Sequence, residues 1–505
     1  MIKETWKQIA ENHDIRQNLS KLRQELKERG GLEALLHDCT GIEEVLFPLL
    51  KSEDAKTRKN TALLLGDIGK QAYLEPIYGA YESEQQMFVK SSYLTAISNF
   101  DYRDYVPEFK SRLEQLSNVE MTPENQKHIT EEIRELSSLI IEIEGVKMHR
   151  FRGEDETYDI VLLTNRNFPE ITIKELRELE PGAKVKAFGA GVIGSVENLN
   201  WLDEIRTYQE LLFTVKGMQT CPMDAEKAAE IIVNSQLLTF MNKGHEGTPP
   251  YYFRIEFKSK MELDKKSAFT KKLSSQIEKR SNRTLINTTS NYEFEIRLIE
   301  NKEGECNILV KLCTLKDERF SYRKEVTPTS IKAVNAALTV ALAKEYMKEE
   351  AQVLDPFCGV GTMLIERHKA VKANTMYGID LQEDAILKAR KNTEAARQII
   401  HYINRDFFDF KHEYLFDEII TNMPFKIGRT TEDEIYELYV RFFGKAKEFL
   451  NKDGMMILYS HDEEYVRQMA PVNGFRIIKT YEISLKEGTY VFVLSGQSSG
   501  RQIIK

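Results

Sequence analysis

At 505 residues the chain is too long for a single hydrophobic core, so about two to four domains are expected, and its 41% apolar and 30% charged residues are those of an ordinary globular protein. No run approaches the roughly 18 uncharged apolar residues of a membrane span, and the N-terminus M-I-K-E-T-W-K-Q-I-A has no signal-peptide core, so a cytoplasmic protein with no membrane partner is expected. A net charge of -8 excludes indiscriminate nucleic-acid binding by the whole surface, and the 5 scattered cysteines, without a C-x-x-C, support neither a disulfide framework nor a zinc site; no metal is expected.

The first third reads as helical. Residues 45 to 69, V-L-F-P-L-L-K-S-E-D-A-K-T-R-K-N-T-A-L-L-L-G-D-I-G, pair a short apolar helix with a longer one, and residues 73 to 100 repeat that layout roughly 30 residues on. Leu50 and Tyr81, Arg58 and Lys90, and Leu65 and Ile97 are equivalent positions. The stretch resembles short HEAT repeats, which stack to share a core, and residues 1–147 are expected to form an all-α HEAT-like repeat domain that could hold a protein partner.

From about Tyr158 the period changes. Y-D-I-V-L-L-T reads as a strand, F-P-E-I-T-I-K-E-L-R-E-L as a helix, V-K-A-F-G-A-G-V-I-G-S-V as a hairpin, and W-L-D-E-I-R-T-Y-Q-E-L-L-F-T-V as helix into strand. This fits a small α+β ferredoxin-like unit over 156–245. After Pro250 come the strand Y-Y-F-R-I-E-F-K, the helix K-S-A-F-T-K-K-L-S-S-Q-I-E-K-R, and the paired strands Y-E-F-E-I-R-L-I and C-N-I-L-V-K-L-C, a second module over 246–325. Lys265, Lys266, Lys271, Lys272 and Arg280 give this module a local cationic face suited to RNA.

From about Ser330, fully apolar short strands alternate with helices, which predicts an α/β Rossmann-like domain over 330–505 with a parallel sheet covered on both faces. The last two strands, joined by S-L-K-E-G, must pair antiparallel. The first of these strands ends in D-P-F-C-G-V-G-T (355 to 362), a glycine turn where backbone amides can approach a ligand. It is neither the dinucleotide G-x-G-x-x-G nor a P-loop. The second strand ends at Asp380, placed to accept both hydroxyls of a ribose; the third is followed by Asp406, placed to accept from an adenine amino group with Phe407 against the ring.

The fourth strand delivers T-N-M-P-F-K-I-G (421 to 428) into the same crevice. The Asn422 side-chain oxygen and the Met423 carbonyl can hold both hydrogens of a planar exocyclic amine. Pro424 biases Met423 towards an extended backbone, and Phe425 offers a face to an extruded base. Cys358 lies in the glycine turn, away from this clamp, and reads as a packing residue and no nucleophile.

With these residues in place, 330 to 494 resembles a class I S-adenosylmethionine-dependent methyltransferase, and T-N-M-P-F resembles the [Asn/Asp]-x-Pro-[Tyr/Phe] motif of amino-group methyltransferases. Residues 156 to 330, with the junction R-F-S-Y-R-K-E-V-T-P-T-S-I-K (319 to 332), resemble the ferredoxin-like plus THUMP pair of the RNA methyltransferases that make N2-methylguanosine in tRNA. The resemblance implies S-adenosylmethionine as cofactor. Asp355, Pro356, Cys358, Gly359, Gly361 and Thr362 would line its methionine end, Asp380 with Leu381 its ribose, and Asp406 with Phe407 its adenine; Asn422, Met423, Pro424 and Phe425 would hold the target base. It implies methyl transfer to guanosine N2, in tRNA; rRNA guanine N2, adenine N6, or a non-catalytic RNA-binding scaffold are the alternatives. Met423 stands where the family more often has Pro, and Lys426-Ile427-Gly428 where it has Gly directly after the aromatic.

Overall fold

The computed structural model describes residues 2–496 except 29, 118, 120, 121, 123, 146 and 147; the ends of the expected domains at 146–147 and 497–505 lie outside the described residues. The chain divides into two compact units, Met1–Lys147 and Met148–Lys505. The first holds α1 (Ile2–Ala10), α2 (Ile15–Leu26), α3 (Gly31–Asp38), α4 (Ile42–Leu49), α5 (Ala55–Ile68), α6 (Leu74–Ser83), α7 (Met87–Ile97), α8 (Val106–Ser117) and α9 (Gln126–Glu144). The sequence neighbours α4/α5, α6/α7 and α8/α9 pack as pairs, and their second members α5, α7 and α9 lie side by side, with α2 beyond α5. Gly66 permits a close approach of α5 to α7: a Cβ there would lie 2.8 Å from the Ala96 Cα. Leu50, Tyr81, Leu65 and Ile97 are all buried in this shared core. Arg58 donates two hydrogen bonds to Glu84 (2.7 and 2.8 Å), while its counterpart Lys90 donates to the Tyr81 carbonyl (2.9 Å).

In the second unit, β1 (Tyr158–Thr164), β2 (Lys184–Phe188), β3 (Gly191–Val196), β4 (Tyr208–Phe213), β5 (Thr220–Pro222), β6 (Tyr251–Lys258), β7 (Leu285–Asn287), β8 (Phe294–Glu300) and β9 (Glu305–Leu312) form one sheet of order β2-β3-β1-β4-β9-β8-β6-β7, with β5 paired to β9. The two small modules read from the sequence thus share a sheet, joined where Phe213 faces Val310, and a single hydrophobic core runs through both. Helices α10 (Pro169–Leu179), α11 (Ala225–Asn234), α12 (Leu237–Gly244) and α13 (Leu263–Arg280) cover it. The helix expected at the start of W-L-D-E-I-R-T-Y-Q-E-L-L-F-T-V is reduced to one turn. Glu204 and Ile205 both donate to the Trp201 carbonyl, the turn then stops, and Arg206 leaves it for a carboxylate in the next domain.

The C-terminal sheet contains β10 (Ala351–Asp355), β11 (Ala373–Asp380), β12 (His401–Asn404), β13 (Phe416–Asn422), β14 (Leu450–Ser460), β15 (Phe475–Ser484) and β16 (Thr489–Gly496), in the order β12-β11-β10-β13-β14-β16-β15. Strands β10 to β14 are parallel, and β16 runs antiparallel to both β14 and β15. Its apolar strands feed separate cores on the two faces, capped by α14 (Ala333–Ala343), α15 (Thr362–Ala370), α16 (Glu383–Ala395), α17 (Glu432–Ala446) and α18 (Glu463–Val472). The chain order turns back at β10, flanked by β11 and β13, and a doubly wound sheet opens its ligand crevice at such a point, beyond the carboxyl ends of the strands.

The two sheets of this unit are tied together at two places. Arg206 makes a two-pronged ion pair with Glu366 of α15 (2.7 and 2.7 Å), and the Tyr322 hydroxyl donates to the same carboxylate (2.6 Å). The side-chain amides of Asn165 and Asn167, after β1, donate to the Ile483 and Glu482 carbonyls of the edge strand β15 (2.8 and 2.9 Å). Unpaired carbonyls on an edge strand would otherwise invite another strand. Among the described residues no helix is long and apolar enough to cross a membrane.

Candidate active site

A cavity of about 570 Å³ opens at the carboxyl ends of β10, β11 and β13. Its wall is built from four short connections. The turn after β10 runs from Asp355 into α15: the Cys358 amide donates to the Ile379 carbonyl (2.9 Å) and the Gly361 amide to the Cys358 carbonyl (2.9 Å), so the loop folds back over β11. Gly361 has a positive φ of 81°, and a Cβ there would meet the Tyr402 Oη at 2.1 Å; the turn needs glycine on both counts. Gly359 also has a positive φ (51°), but a Cβ would point into open space, as expected of backbone presented to a ligand.

Asp380, at the end of β11, accepts from the amides of Gly359 (2.9 Å) and Gln382 (2.8 Å), one on each oxygen. It therefore fixes the glycine turn and keeps a lone pair on each oxygen for a ligand. Asp406, after β12, accepts from the Phe408 amide through one oxygen (2.9 Å) and so caps the short turn Phe407–Asp409. Asp355 is buried and accepts from the Phe357 amide (3.1 Å); burial pushes its carboxyl up to about 7, and the nearby Asp380 charge adds to the rise. Burial raises the Cys358 thiol well above its ordinary value, which keeps it protonated and unsuited to nucleophilic attack.

At the end of β13 the Met423 amide donates to the Tyr459 carbonyl (2.9 Å), which pins the N-M-P-F turn to β14. Met423 is fully buried as a whole residue and belongs to the cavity wall. Two side-chain oxygens of residues in this wall are buried without a hydrogen-bond partner: Asn422 Oδ1 and Thr362 Oγ1. Buried polar atoms are nearly always satisfied, and orphans gathered at one cavity mark where a ligand supplies the missing donors.

Of the residues singled out in the sequence, Asp355, Pro356, Cys358, Gly359, Thr362, Asp380, Leu381, Asp406, Phe407 and Asn422 through Phe425 line this one cavity. Gly361 does not; it lies under the turn against Tyr402. Phe407 is 2% exposed, its ring set among Phe357, Phe408, Phe442 and Phe449, so it shows the cavity little beyond its backbone. Sequence reasoning missed Thr327, Thr329, Ser330 and Ile331, which bring the interdomain junction into the wall, and Arg441 of α17, whose guanidinium sits 3.8 Å above the Phe408 ring. It also missed Asn392, fully buried, which donates to the carbonyls of Glu325 (2.9 Å) and Val360 (3.1 Å) and so ties the junction to the glycine turn. Ile427 reaches the rim of the cavity at 44% exposure, whereas Lys426 pairs with Glu432 (2.8 Å) and does not line it.

The cationic residues lie elsewhere, on α13. Lys272 and Arg280 reach across to Glu226 and Glu230 of α11 (2.9 and 3.9 Å), and Lys265 pairs with Glu262 (3.0 Å). Among the described residues Lys266 and Lys271 make no ion pair, so they are the members of the group with charge to offer.

Residues 321–489 match the family model of the UPF0020, RMKL-like, methyltransferase domain. The C-terminal domain is a methyltransferase domain. The glycine turn, the free lone pairs of Asp380 and the orphan hydroxyl of Thr362 suit the S-adenosylmethionine that the resemblance implies. Among curated proteins, the ribosomal protein L11 methyltransferase of Dictyoglomus turgidum is 24% identical over 163 residues, 32% of this chain. The chain spans about half the length (49%) of that relative. Among solved structures, TrmN from Thermus thermophilus is matched over 68% of this chain and 100% of its own with a TM-score of 0.51 at 18% identity. SMU.472, in a complex with SAH, gives 0.52 at 15% identity over 68% of this chain and 100% of its own. A protein titled as an N6-adenine-specific DNA methylase, from Listeria monocytogenes, gives 0.51 at 15% over 68% and 97%. At these identities the likeness is one of fold, and it spans more than the methyltransferase domain alone.

The site carries a first expected result. Asp380→Ala removes the acceptor of two amides and the candidate ribose contact together, and charged hydrogen bonds are worth about 1.5–3 kcal/mol each. Titration calorimetry with S-adenosylmethionine should show affinity falling by at least about 30-fold. A change within about threefold would remove Asp380 from the cofactor site.

Proposed function

We propose that the protein is an RNA methyltransferase that moves a methyl group from S-adenosylmethionine to the exocyclic N2 amine of a guanosine in tRNA. The observation that carries the reading is the Asn422 side-chain oxygen, buried at the end of β13 with no donor, in the cavity that also holds Asp355, Asp380 and Asp406. An acceptor left empty at that place is matched by an amine N–H. S-adenosylmethionine, when bound, supplies an electrophilic methyl. The chain's own part is placement. Asp380 accepts from ribose hydroxyls and Asp406, through the oxygen its cap leaves free, from the adenine amine; the turn from Asp355 to Thr362 holds the methionine end. Asn422 Oδ1 and the Met423 carbonyl accept hydrogen bonds from the two N–H groups of the target amine, turning its lone pair out of the ring's resonance and towards the methyl, while Phe425 stacks on the base; once alkylated, the amine sheds one proton to solvent. Alignment of this kind supplies most of the rate in a displacement that needs no covalent intermediate.

RNA as substrate is supported by the resemblance of residues 156 to 330 to the ferredoxin-like and THUMP pair, and by the uncompensated Lys266 and Lys271 on α13. The stacked helix pairs of the first unit, read as HEAT-like, are a surface for a protein partner. Nucleoside mass spectrometry of tRNA and rRNA from cells with and without the gene tests the whole reading. N2-methylguanosine should fall in the tRNA fraction; loss of N6-methyladenosine, loss confined to rRNA, or no loss would each overturn it. The RNA-binding face has its own test: Lys266→Glu with Lys271→Glu should weaken binding to bulk tRNA and flatten its logarithmic salt slope by about 0.7–0.9 for each phosphate no longer neutralised. An unchanged slope in filter binding between low and moderate salt would place the RNA on another face.

A further inference from the structure

The two segments that leave β13 and β14 run side by side. Asn422 stands opposite Tyr459 in the parallel register, and the Met423 amide holds the Tyr459 carbonyl, so residues a few positions further along each segment meet: Phe425 and His461. Their rings stack with centroids 4.2 Å apart and planes 28° apart. Phe425 lines the cavity and His461 does not, so the imidazole covers the ring face turned away from the ligand space. His461 is held in turn. The Asp462 amide after it donates to Ser460 Oγ before it (3.0 Å), Ser460 Oγ shares a hydrogen bond with the buried Tyr439 hydroxyl (2.8 Å), and the Tyr459 ring meets the imidazole edge-on at 5.9 Å.

We propose that His461 is a positioning residue for the target base: it acts as the fixed back layer of a three-layer stack in which Phe425 is the middle and the extruded base the front. This rests on the reading that Phe425 receives the base. The physical argument is one of stiffness. Phe425 sits in a connection that is partly open to solvent, and a phenyl ring there would tilt about its side-chain torsions with little resistance. Offset stacking at this distance holds a ring in plane. A flat, immobile face sets the height and tilt of whatever stacks on it, and through them the angle at which the amine meets Asn422 and the methyl. Burial also pushes the His461 imidazole towards its neutral form, against the Glu487 backbone carbonyl and the Asp462 and Glu487 carboxylates, which leaves an uncharged π face against Phe425.

The test is a double-mutant cycle on the full-length chain, with tritium transfer from labelled S-adenosylmethionine to bulk tRNA from gene-deleted cells as the readout. His461→Ala should lower kcat about tenfold or more, with KM for tRNA and cofactor affinity close to wild type, because misalignment after binding is what the change introduces. His461→Phe, which keeps the stack, should recover most of the rate. In a Phe425→Ala background His461→Ala should cost nothing further, since the histidine acts only through the phenylalanine. Wild-type kcat in His461→Ala, a His461→Phe variant as slow as alanine, or additive losses in the double variant would each overturn the proposal. If His461→Ala no longer binds cofactor, His461→Gln replaces it in the cycle. Should Asn422→Ala lose activity while the His461 variants do not, the stacking role alone fails; if Asn422→Ala also keeps its activity, the proposed function fails with it.

Discussion

Asn422→Ala should lower methyl transfer to tRNA by about 100- to 1000-fold while S-adenosylmethionine binds with unchanged affinity. The magnitude follows from what the side chain is placed to do. Its oxygen is buried, lacks a donor and stands at the end of β13, whereas the cofactor's candidate anchors Asp380 and Asp406 stand at the end of β11 and just after β12, on the other side of β10. Removing it leaves the cofactor's cradle whole. What is lost is one of two acceptors that localise the amine's lone pair, an interaction made fully only as the methyl moves, so the loss belongs in kcat. Asn422→Asp keeps an acceptor oxygen at the same place and should retain part of the rate. Tritium incorporation at saturating cofactor, paired with calorimetry on the same preparations, separates the outcomes; equal incorporation by wild type and alanine variant would strip Asn422 of its role.

How much of this site could be read from the chain depends on the range over which each part is specified. The strands of the C-terminal sheet were legible because a parallel sheet covered on both faces demands continuous apolar runs, as in V-L-D and D-E-I-I-T-N. The three acids and T-N-M-P-F were legible because each lies at a strand end, where local pattern alone fixes the place. Thr327, Thr329 and Ser330 were not: nothing in V-T-P-T-S-I states that Asn392 holds this segment over the cavity. His461 was hidden for the same reason, since its meeting with Phe425 depends on the register between β13 and β14. The helix read at Trp201 failed in the opposite sense. Trp201 and Ile205 have helical spacing and are both buried, yet one turn suffices to bury them, and Arg206 is drawn off to Glu366. On α13 the sequence showed the cations but not the acids of α11 that take up Lys272 and Arg280.

Beneath the cavity, Glu418→Ala should destabilise the methyltransferase domain by about 3–5 kcal/mol, more than any change at the cavity surface. Glu418 of β13 and Arg367 of α15 are both fully buried and form a two-pronged pair (2.6 and 2.9 Å); the carboxylate also accepts from the Lys348 amide (2.8 Å) and the guanidinium donates to the Lys348 carbonyl (2.7 Å). Removing one partner strands the other, and the two variants differ. A guanidinium cannot shed its proton, so Arg367 left alone stays charged in the core. Glu418→Ala also opens a cavity, whereas methionine fills most of the space of the arginine stem, so Arg367→Met should cost less than Glu418→Ala. Hydrogen-exchange mass spectrometry on β10 and β13 peptides of the full-length chain reads the opening free energy of this domain without relying on a single global transition. Equal costs for the two variants would mean that water reaches the pair. Because Glu418 shares β13 with Asn422, and Arg367 shares α15 with Thr362, the loosened core should weaken cofactor binding and transfer together, a pattern distinct from Asn422→Ala, where transfer alone is lost.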